Sequence, residues 1–187
     1  MDLALPQRGI VEMIKGKKIN LRVVRESDLE VLFDFWSDIE NRGVHFPKWL
    51  PSQPNFKNAF SKDGFWNEDE GRLLIVDKDD RILGEIFYLK SVPYFDALEI
   101  GYILFDKASR GKGIMTEALS LFVHFLFETK NINRLQLTIA PGNIGSNKVA
   151  ERCGFKSEGI ARKAVFHRGQ HVDVEWFSLL RKELKSL

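Results

Sequence analysis

The chain has 187 residues, of which 44% are hydrophobic and 29% are charged, as in a globular protein with one well-buried core. Its formal net charge of +2 provides no overall basic field that would attract nucleic acid. Cys153 is the single cysteine, which excludes an internal disulfide and a cysteine-rich metal site. Residues 1–18 do not have the pattern of a secretory signal, and no segment approaches the roughly 20 apolar residues that span a bilayer. We therefore expect a cytoplasmic protein without a membrane partner.

The N-terminal part of the chain predicts one strand followed by two helices. Apolar and polar residues alternate over 18–24, which is typical of a half-buried strand. Ser27 and Glu30 form a capping box, which predicts a helix start at this point. Three prolines between residues 43 and 55 exclude one continuous helix there, and 59–66 is predicted to complete a second, short helix.

The rest of the chain predicts a sheet that contains a single parallel crossover. Gly101 lies inside a predicted strand, which indicates either a bulge or a close approach of another chain segment to the backbone. The helix that begins at Gly113 is apolar almost all round, so we expect it to be buried against the sheet. The predicted strands are 72–76, 82–90, 96–105, 134–140 and two within 161–180, with a short helix over 145–155. This order predicts an α+β fold with a mixed sheet in one domain.

Two glycines and two cations precede the long helix, in the sequence SRGKGIMTEAL at 109–119. Helix starts expose unpaired N–H groups and attract anions, and a glycine such as Gly113 lets a phosphate approach the backbone closely. Arg110 and Lys112 add positive charge. The pattern therefore predicts a pyrophosphate site, and the alternative is an ordinary basic loop. The P-loop motif is absent, and the dinucleotide-binding motif lacks its third glycine and its acidic residue.

Two segments resemble known enzymes. The run from Arg110 to Met115, after EIGYILF and before TEAL, resembles the Arg/Gln-x-x-Gly-x-Gly/Ala signature of the GNAT superfamily of N-acetyltransferases. The segment PGNIGSNKVAERCGFKSEGIAR resembles one found in the RimJ/RimL group, which acetylates N-terminal amines of ribosomal proteins. The resemblance extends from about Leu21 to Leu180, and Met115 in place of Gly or Ala is a departure from it. It implies a single acetyltransferase domain over residues 1–187, with its core at about 18–182 and flanking helices around a mostly antiparallel sheet whose central parallel pair is splayed.

The resemblance also implies acetyl-CoA as the co-substrate and indicates the residues that bind it. In the family, the main chain of a splayed strand binds the pantetheine arm, and the glycine-rich turn binds the pyrophosphate. The residues of this chain that match those positions are Ile103, Leu104 and Phe105 in the strand and Arg110, Gly111, Lys112, Gly113, Ile114, Met115 and Thr116 in the turn. Asn143 and Ser146, near the start of the later short helix, are expected to contact the pantetheine or acetyl-bearing end and the thiol, respectively.

Glu99 and Ser146 are the catalytic residues that the resemblance implies. Many GNAT enzymes carry a glutamate on this strand as a general base, and alternation places Glu99 on the face opposite Ile100 and Tyr102. The alternative is a polar residue on a half-solvated face. Some RimL-type enzymes use a glutamate in a later strand instead, where this chain has Val165. Ser146 is expected to protonate the leaving thiolate, although a helix N-cap would also explain a serine at this position.

Phe46, Trp49 and Leu50 lie in the segment that covers the acceptor groove in the family, so they predict an aromatic wall or a local hydrophobic cluster. Residues 43–56 contain no Asp or Glu, which favours the N-terminal α-amine of a protein or peptide as the acceptor over a polycation. A small amine as acceptor, or an acyl-CoA-binding protein without activity, are the alternatives. We expect no metal and no nucleic-acid partner, and a homodimer is compatible with the resemblance. Glu158 is expected to be a solvated charge in a turn.

Overall fold

One eight-stranded sheet forms the centre of the molecule, with the strand order β1-β2-β3-β4-β5-β6-β8-β7. The computed structural model describes residues 13–40, 42–46 and 48–185. The strands are β1 (Met13–Lys15), β2 (Asn20–Val23), β3 (Glu70–Val76), β4 (Ile82–Leu89), β5 (Ala97–Leu104), β6 (Arg134–Ile139), β7 (Lys156–His167) and β8 (Gln170–Leu180). All neighbouring strands are antiparallel except β5 and β6. The prediction of a mostly antiparallel mixed sheet with one parallel pair is therefore confirmed.

In the described residues, four α-helices flank this sheet: α1 (Leu29–Ser37), α2 (Gln53–Asp63), α3 (Ile114–Thr129) and α4 (Ile144–Arg152). Pro54 lies in the first turn of α2, where no intrahelical N–H bond is lost, and Pro51 precedes this helix. In the part of the chain that the structure describes, no helix is both long enough and apolar enough to cross a membrane.

The helices pack on two different faces of the sheet. Successive residues of a strand point to opposite faces, and β3 shows this alternation. Leu73 packs in one apolar cluster with Phe122 of α3, whereas Leu74 packs in a second cluster with Leu32 of α1. We call these two sides the α3 face and the α1 face.

The buried residues of α3 recur every three or four positions from Met115 to Phe127, so they lie on one side of the helix, while Leu121 and Phe125 on the other side are only partly buried. The helix is therefore buried against the sheet, as its apolar sequence predicts, but not all round.

The parallel strands β5 and β6 separate part-way along their length. They pair only at Ala97–Arg134, Leu98–Leu135 and Glu99–Gln136. Beyond this point β5 continues along β4 as far as Leu104, while β6 continues along β8 as far as Ile139. A V-shaped cleft therefore opens in the middle of the sheet, with Glu99 and Gln136 at its apex.

Gly101 lies next to this cleft, and the expectation of a bulge there is wrong. The register between β4 and β5 runs without a shift from Gly84–Leu104 to Leu89–Glu99. A Cβ atom on Gly101 would lie 2.3 Å from Cζ of Phe87, so the glycine accommodates the Phe87 ring. The close approach, which was the alternative expectation, is what the structure contains.

The first hairpin of the sheet was not predicted. The alternating segment 18–24 forms β2, but β1 pairs with it ahead of the turn at 16–19. Three residues are too few for a periodic pattern to be recognised in the sequence. The turn lies against α3, since the main-chain N–H of Lys18 donates to Oε1 of Glu117 over 2.9 Å.

Candidate active site

A cavity of about 510 Å³ opens where β5 and β6 separate. It is lined by parts of the α1–α2 connection, the end of β5, the glycine-rich turn before α3, and the first turns of α4. The predicted site residues that line it are Phe46, Ile103, Leu104, Arg110, Gly111, Gly113, Ile114, Met115, Thr116, Asn143 and Ser146. Within the described ranges, the predicted residues that do not line it are Trp49, Leu50, Glu99, Phe105 and Lys112.

The glycine-rich turn has the backbone shape that the sequence predicts for an anion site. Gly111 and Gly113 have φ angles of +75° and +79°, and Gly113 is the N-cap of α3. Residues with a side chain rarely adopt this conformation. Apart from its two chain neighbours, no atom of the described residues lies within 4 Å of the position that a Cβ of Gly111 would occupy, so the backbone is open to a ligand. The exposed N–H groups at the start of α3 can therefore be approached closely by a phosphate.

The cavity has a strongly positive wall. Its described lining residues include four cationic side chains, Arg42, Arg110, Lys148 and Arg152, and neither Asp nor Glu. Coenzyme A carries a pyrophosphate and a further phosphate, and the partial positive charge of a helix start adds to the charges of Arg110, Lys148 and Arg152, which lie in the turn before α3 and in α4. Arg42, in contrast, lies in the α1–α2 connection. In charge and in backbone shape, this cavity fits coenzyme A.

The end of β5 forms one side of the cavity. Ile103 and Leu104 are buried and line it. Arg110 donates from Nη2 to the carbonyl oxygen of Leu104 over 3.5 Å. The N–H of Phe105 donates instead to the carbonyl of Leu83 over 2.9 Å. This N–H is therefore already used within the sheet, whereas the cavity adjoins the two residues before it.

The start of α4 differs from the expectation in one respect. The N-cap is Asn143, whose side-chain oxygen accepts from the N–H of Ser146 over 3.2 Å. Ser146 is the third residue of the helix, so the capping explanation for this serine is wrong. Ser146 is half-buried and lines the cavity.

Tyr102 also lines the cavity and was not predicted as a site residue. Its hydroxyl donates to the main-chain carbonyl of Ser146 over 3.4 Å. Burial raises the pKa of Tyr102 to about 12, so the phenol keeps its proton at neutral pH. Because Tyr102 alternates with Ile103, the side chain lies on the α3 face together with α4.

Glu99 lies at the apex of the cleft, in the last residue pair that joins β5 to β6. It is half-buried, whereas Ile100 on the opposite face is almost completely buried, in agreement with the predicted alternation. Its side chain therefore lies on the α1 face. The role of Glu99 as a base stays a prediction.

The α1–α2 connection covers the cavity on the α1 face. Phe46 lines the cavity and packs on Trp36, with ring centroids 5.7 Å apart. Trp49 stacks on Trp36 with ring centroids 5.5 Å apart, and Leu50 is 73% exposed. The β7–β8 hairpin holds this connection, because His167 donates from Nε2 to the carbonyl of Val44 over 2.7 Å.

The splayed parallel strands and the cationic helix start together define a protein that binds a phosphate-bearing cofactor within its sheet. The model of the acetyltransferase (GNAT) domain family matches residues 18–156, and the chain belongs to this family. The protein is an N-acetyltransferase whose acetyl donor is acetyl-CoA.

Several known proteins are similar to this chain over most of its length. A probable N-acetyltransferase, YjcK of Bacillus subtilis (strain 168), is 32% identical over 183 residues, which are 91% of this chain and 98% of YjcK. The ribosomal-protein-serine acetyltransferase of Escherichia coli (strain K12) is 24% identical and covers 90% of this chain and 97% of its own length. The crystal structure of spermidine N-acetyltransferase from Vibrio cholerae, in complex with CoA and spermine, has a TM-score of 0.78 at 19% identity, over 90% of this chain and 98% of that one. At this identity the likeness concerns the fold alone.

Proposed function

We propose that the acceptor is the N-terminal α-amine of a protein or peptide, and that this amine attacks the thioester of acetyl-CoA directly. The observation that carries this proposal is the charge of the cavity, whose described lining contains four cations and no carboxylate. A polyamine or an aminoglycoside carries several positive charges that would need neutralising. A single α-amine, with a pKa of about 8, is already roughly one-tenth neutral at pH 7 and needs no such counter-charge.

The similar proteins include enzymes for both kinds of acceptor. The E. coli relative is named as a ribosomal-protein-serine acetyltransferase, and it is 24% identical to this chain. The spermidine N-acetyltransferase shares the fold, but its acceptor is a polycation. The cationic cavity of this chain favours the first kind of acceptor.

The proposed reaction uses the two faces of the sheet for different steps. A bond forms between the amine nitrogen and the acetyl carbon, the carbon–sulfur bond breaks, and the sulfur takes up a proton. On the α1 face, Glu99 would accept the proton of the ammonium group. Glu99 is not among the described residues that line the cavity, so this proton would pass through water. On the α3 face, Ser146 and Tyr102 both line the cavity, and their hydroxyl groups could donate the proton that the sulfur takes up.

The environment of Cys153 supports direct transfer over transfer through an acetylated enzyme. Cys153 is the single cysteine of the chain, and its thiol donates to the carbonyl of Thr116 over 3.4 Å. Burial raises the pKa of this thiol to about 11, so very little thiolate exists near neutral pH. A cysteine in this environment is a poor nucleophile.

A competition experiment tests the acceptor class. The enzyme is given acetyl-CoA with short peptides that have free N-termini, the same peptides blocked at the N-terminus but containing lysine, and a set of small amines including spermidine and an aminoglycoside. Mass spectrometry then identifies the products. We expect the free N-termini to be acetylated preferentially. Preferential acetylation of the blocked peptides or of the polycations would contradict the proposal.

A further inference from the structure

Arg42 is a buried cation with unused hydrogen-bond donors. It is only 3% exposed, and its guanidinium lies over two indole rings, 5.6 Å from the centroid of Trp36 and 5.0 Å from that of Trp49. Its Nη2 donates to the main-chain carbonyl of Trp49. Its Nε and Nη1 are buried and have no hydrogen-bond partner in the described part of the chain.

A second arginine lies against the same indole ring, that of Trp36, but unlike Arg42 it has a carboxylate partner among the described residues. Arg72 lies 5.6 Å from the centroid of Trp36, and it pairs with the buried carboxylate of Glu85 at 2.5 Å. The pKa of Arg42 is lowered by burial, and the charge of Asp38 partly offsets this effect. A buried guanidinium that keeps unpaired N–H groups is costly unless a ligand supplies oxygen atoms.

The position of Arg42 relates it to the acceptor rather than to the phosphates. Trp36 belongs to α1 and lies beside Arg72, so Arg42 is on the α1 face. The glycine-rich turn leads into α3, which packs on the opposite face. The cavity extends between these two faces, and its lining includes both Arg42 and Gly113. Arg42 therefore lines the cavity on the face from which the amine approaches in the proposed reaction.

We propose that Arg42 binds the oxygen atom next to the reacting α-amine, which is the first carbonyl of a peptide or the carboxylate of a free amino acid. This inference rests on the proposed function and adds that the enzyme prefers acceptors with an oxygen atom next to the amine. In an α-amino acyl group, one carbon separates the nitrogen from the carbonyl carbon. An arginine that holds this oxygen therefore fixes the nitrogen as well, and a simple alkylamine has no group for it to hold.

The test compares acceptors with and without this oxygen. Alaninamide and free alanine contain it, as amide and carboxylate respectively, and sec-butylamine is of similar size and lacks it. The rate constant kcat/KM is measured for each, corrected for the fraction of neutral amine. In the Arg42→Met variant we expect kcat/KM for alaninamide to fall roughly 10- to 100-fold, the size of effect typical of a lost charged hydrogen bond. We expect kcat/KM for sec-butylamine to stay within about twofold of its value in the unmodified enzyme. In the unmodified enzyme, the ratio of kcat/KM for free alanine to kcat/KM for alaninamide shows whether a carboxylate or an amide oxygen is preferred.

Two further measurements separate binding of the acceptor from other effects. Calorimetry with coenzyme A should give the same Kd for the Arg42→Met variant and the unmodified enzyme. The Arg42→Lys variant keeps the charge but not the planar group of donors, so it should lose the same selectivity to a smaller degree, and it is available if the Met variant fails to fold. Arg162→Gln removes an exposed positive charge in β7 and serves as the control.

The outcomes distinguish this inference from the proposed function. An equal loss of activity on alaninamide and sec-butylamine, or weaker binding of coenzyme A, would overturn the role of Arg42 alone. A preference of the unmodified enzyme for polycations over every α-amino compound would overturn the proposed function and the role of Arg42 together.

Discussion

The hydroxyl of Tyr102 donates to the main-chain carbonyl of Ser146, and this bond joins the splayed end of β5 to the first turn of α4. Both residues line the cavity. Burial raises the pKa of Tyr102 to about 12, whereas an unfolded tyrosine ionises near pH 10. The folded protein therefore keeps a proton that the unfolded chain loses, and the free energy of unfolding falls as the pH rises from about 10 to 12.

This relationship predicts a change in alkaline stability in the Tyr102→Phe variant. Because the variant lacks the titrating phenol, its free energy of unfolding should fall less steeply with pH, by up to about 2 kcal/mol over this range. Urea unfolding curves at several pH values measure the difference. Tyr94→Phe is the control, since Tyr94 is 85% exposed and its loss should not change the slope. Parallel pH curves for Tyr102→Phe and the unmodified protein would contradict the assignment.

A second prediction concerns the glycine-rich turn. Gly113→Ala should destabilise the protein by about 1 kcal/mol, because alanine is strained at positive φ, and should weaken binding of coenzyme A roughly tenfold or more. Gly113→Val should abolish binding. The matched control is Gly64→Ala at the C-cap of α2, which has a φ of +66° and open space for a Cβ. Calorimetry should show unchanged affinity in this control. Equal affinities in the two alanine variants would remove the turn from the cofactor site.

The start of α4 allows stability and catalysis to be separated. Asn143→Ala removes the cap of the helix and should cost about 1 kcal/mol of the free energy of unfolding. Ser146→Ala should leave stability nearly unchanged, because Ser146 does not cap the helix, and should lower kcat. Chemical denaturation and steady-state kinetics on both variants measure the two effects. A loss of stability in Ser146→Ala without any loss of kcat would assign the serine a purely structural role.

Most strands and helices could be predicted because their signals are local. The apolar surface of α3 and the alternation in β2 depend on neighbouring residues only. The glycine-rich turn is a local signal too, and Gly111 and Gly113 do have the left-handed conformation that only glycine adopts easily. The cofactor side of the cavity was therefore accessible to prediction from the sequence.

The acceptor side depends on contacts between distant segments, which the sequence does not reveal. Arg42 becomes a buried donor only because Trp36 and Trp49 enclose it from different segments. Glu158 lies in β7 and not in a turn as expected, and it reaches Arg134 of β6 across the intervening strand β8. Such pairs follow from the order of strands in the sheet, and β6-β8-β7 is not the order along the chain.

The pair of Glu158 and Arg134 predicts the response to acid. Hydrogen bonds from Arg134 lower the pKa of Glu158 to about 2, below the value of about 4.3 in an unfolded chain. Its contribution to stability is therefore present above about pH 5 and is lost as the pH falls towards 2. Glu158→Gln should be less stable at pH 7, by about 1 kcal/mol at most because the carboxylate is partly exposed, and the difference should vanish near pH 2.

Unfolding curves between neutral and acidic pH measure this difference. Glu128→Gln removes one exposed carboxylate from α3 and is the control for net charge. A difference between Glu158→Gln and the unmodified protein that stays constant with pH would show that the ion pair does not titrate as proposed.

The last prediction concerns the base. Glu99→Gln keeps the shape of the side chain and removes its ability to accept a proton, so kcat should fall roughly a hundredfold near neutral pH. The loss should shrink as the pH rises towards the pKa of the acceptor, because free amine then forms without help. Steady-state rates as a function of pH measure this, with a peptide acceptor and saturating acetyl-CoA.

Glu70 provides a closely matched control for Glu99. Both residues pair with Leu89 of β4, from opposite sides, but Glu70 is exposed in β3 and lies away from the cleft. Glu70→Gln should therefore have the rate and pH profile of the unmodified enzyme. A Glu99→Gln variant with that same profile would show that Glu99 holds the apex of the cleft without taking the proton. Proton transfer would then fall to water alone, which an α-amine allows and a lysine amine, with its pKa of about 10.4, does not.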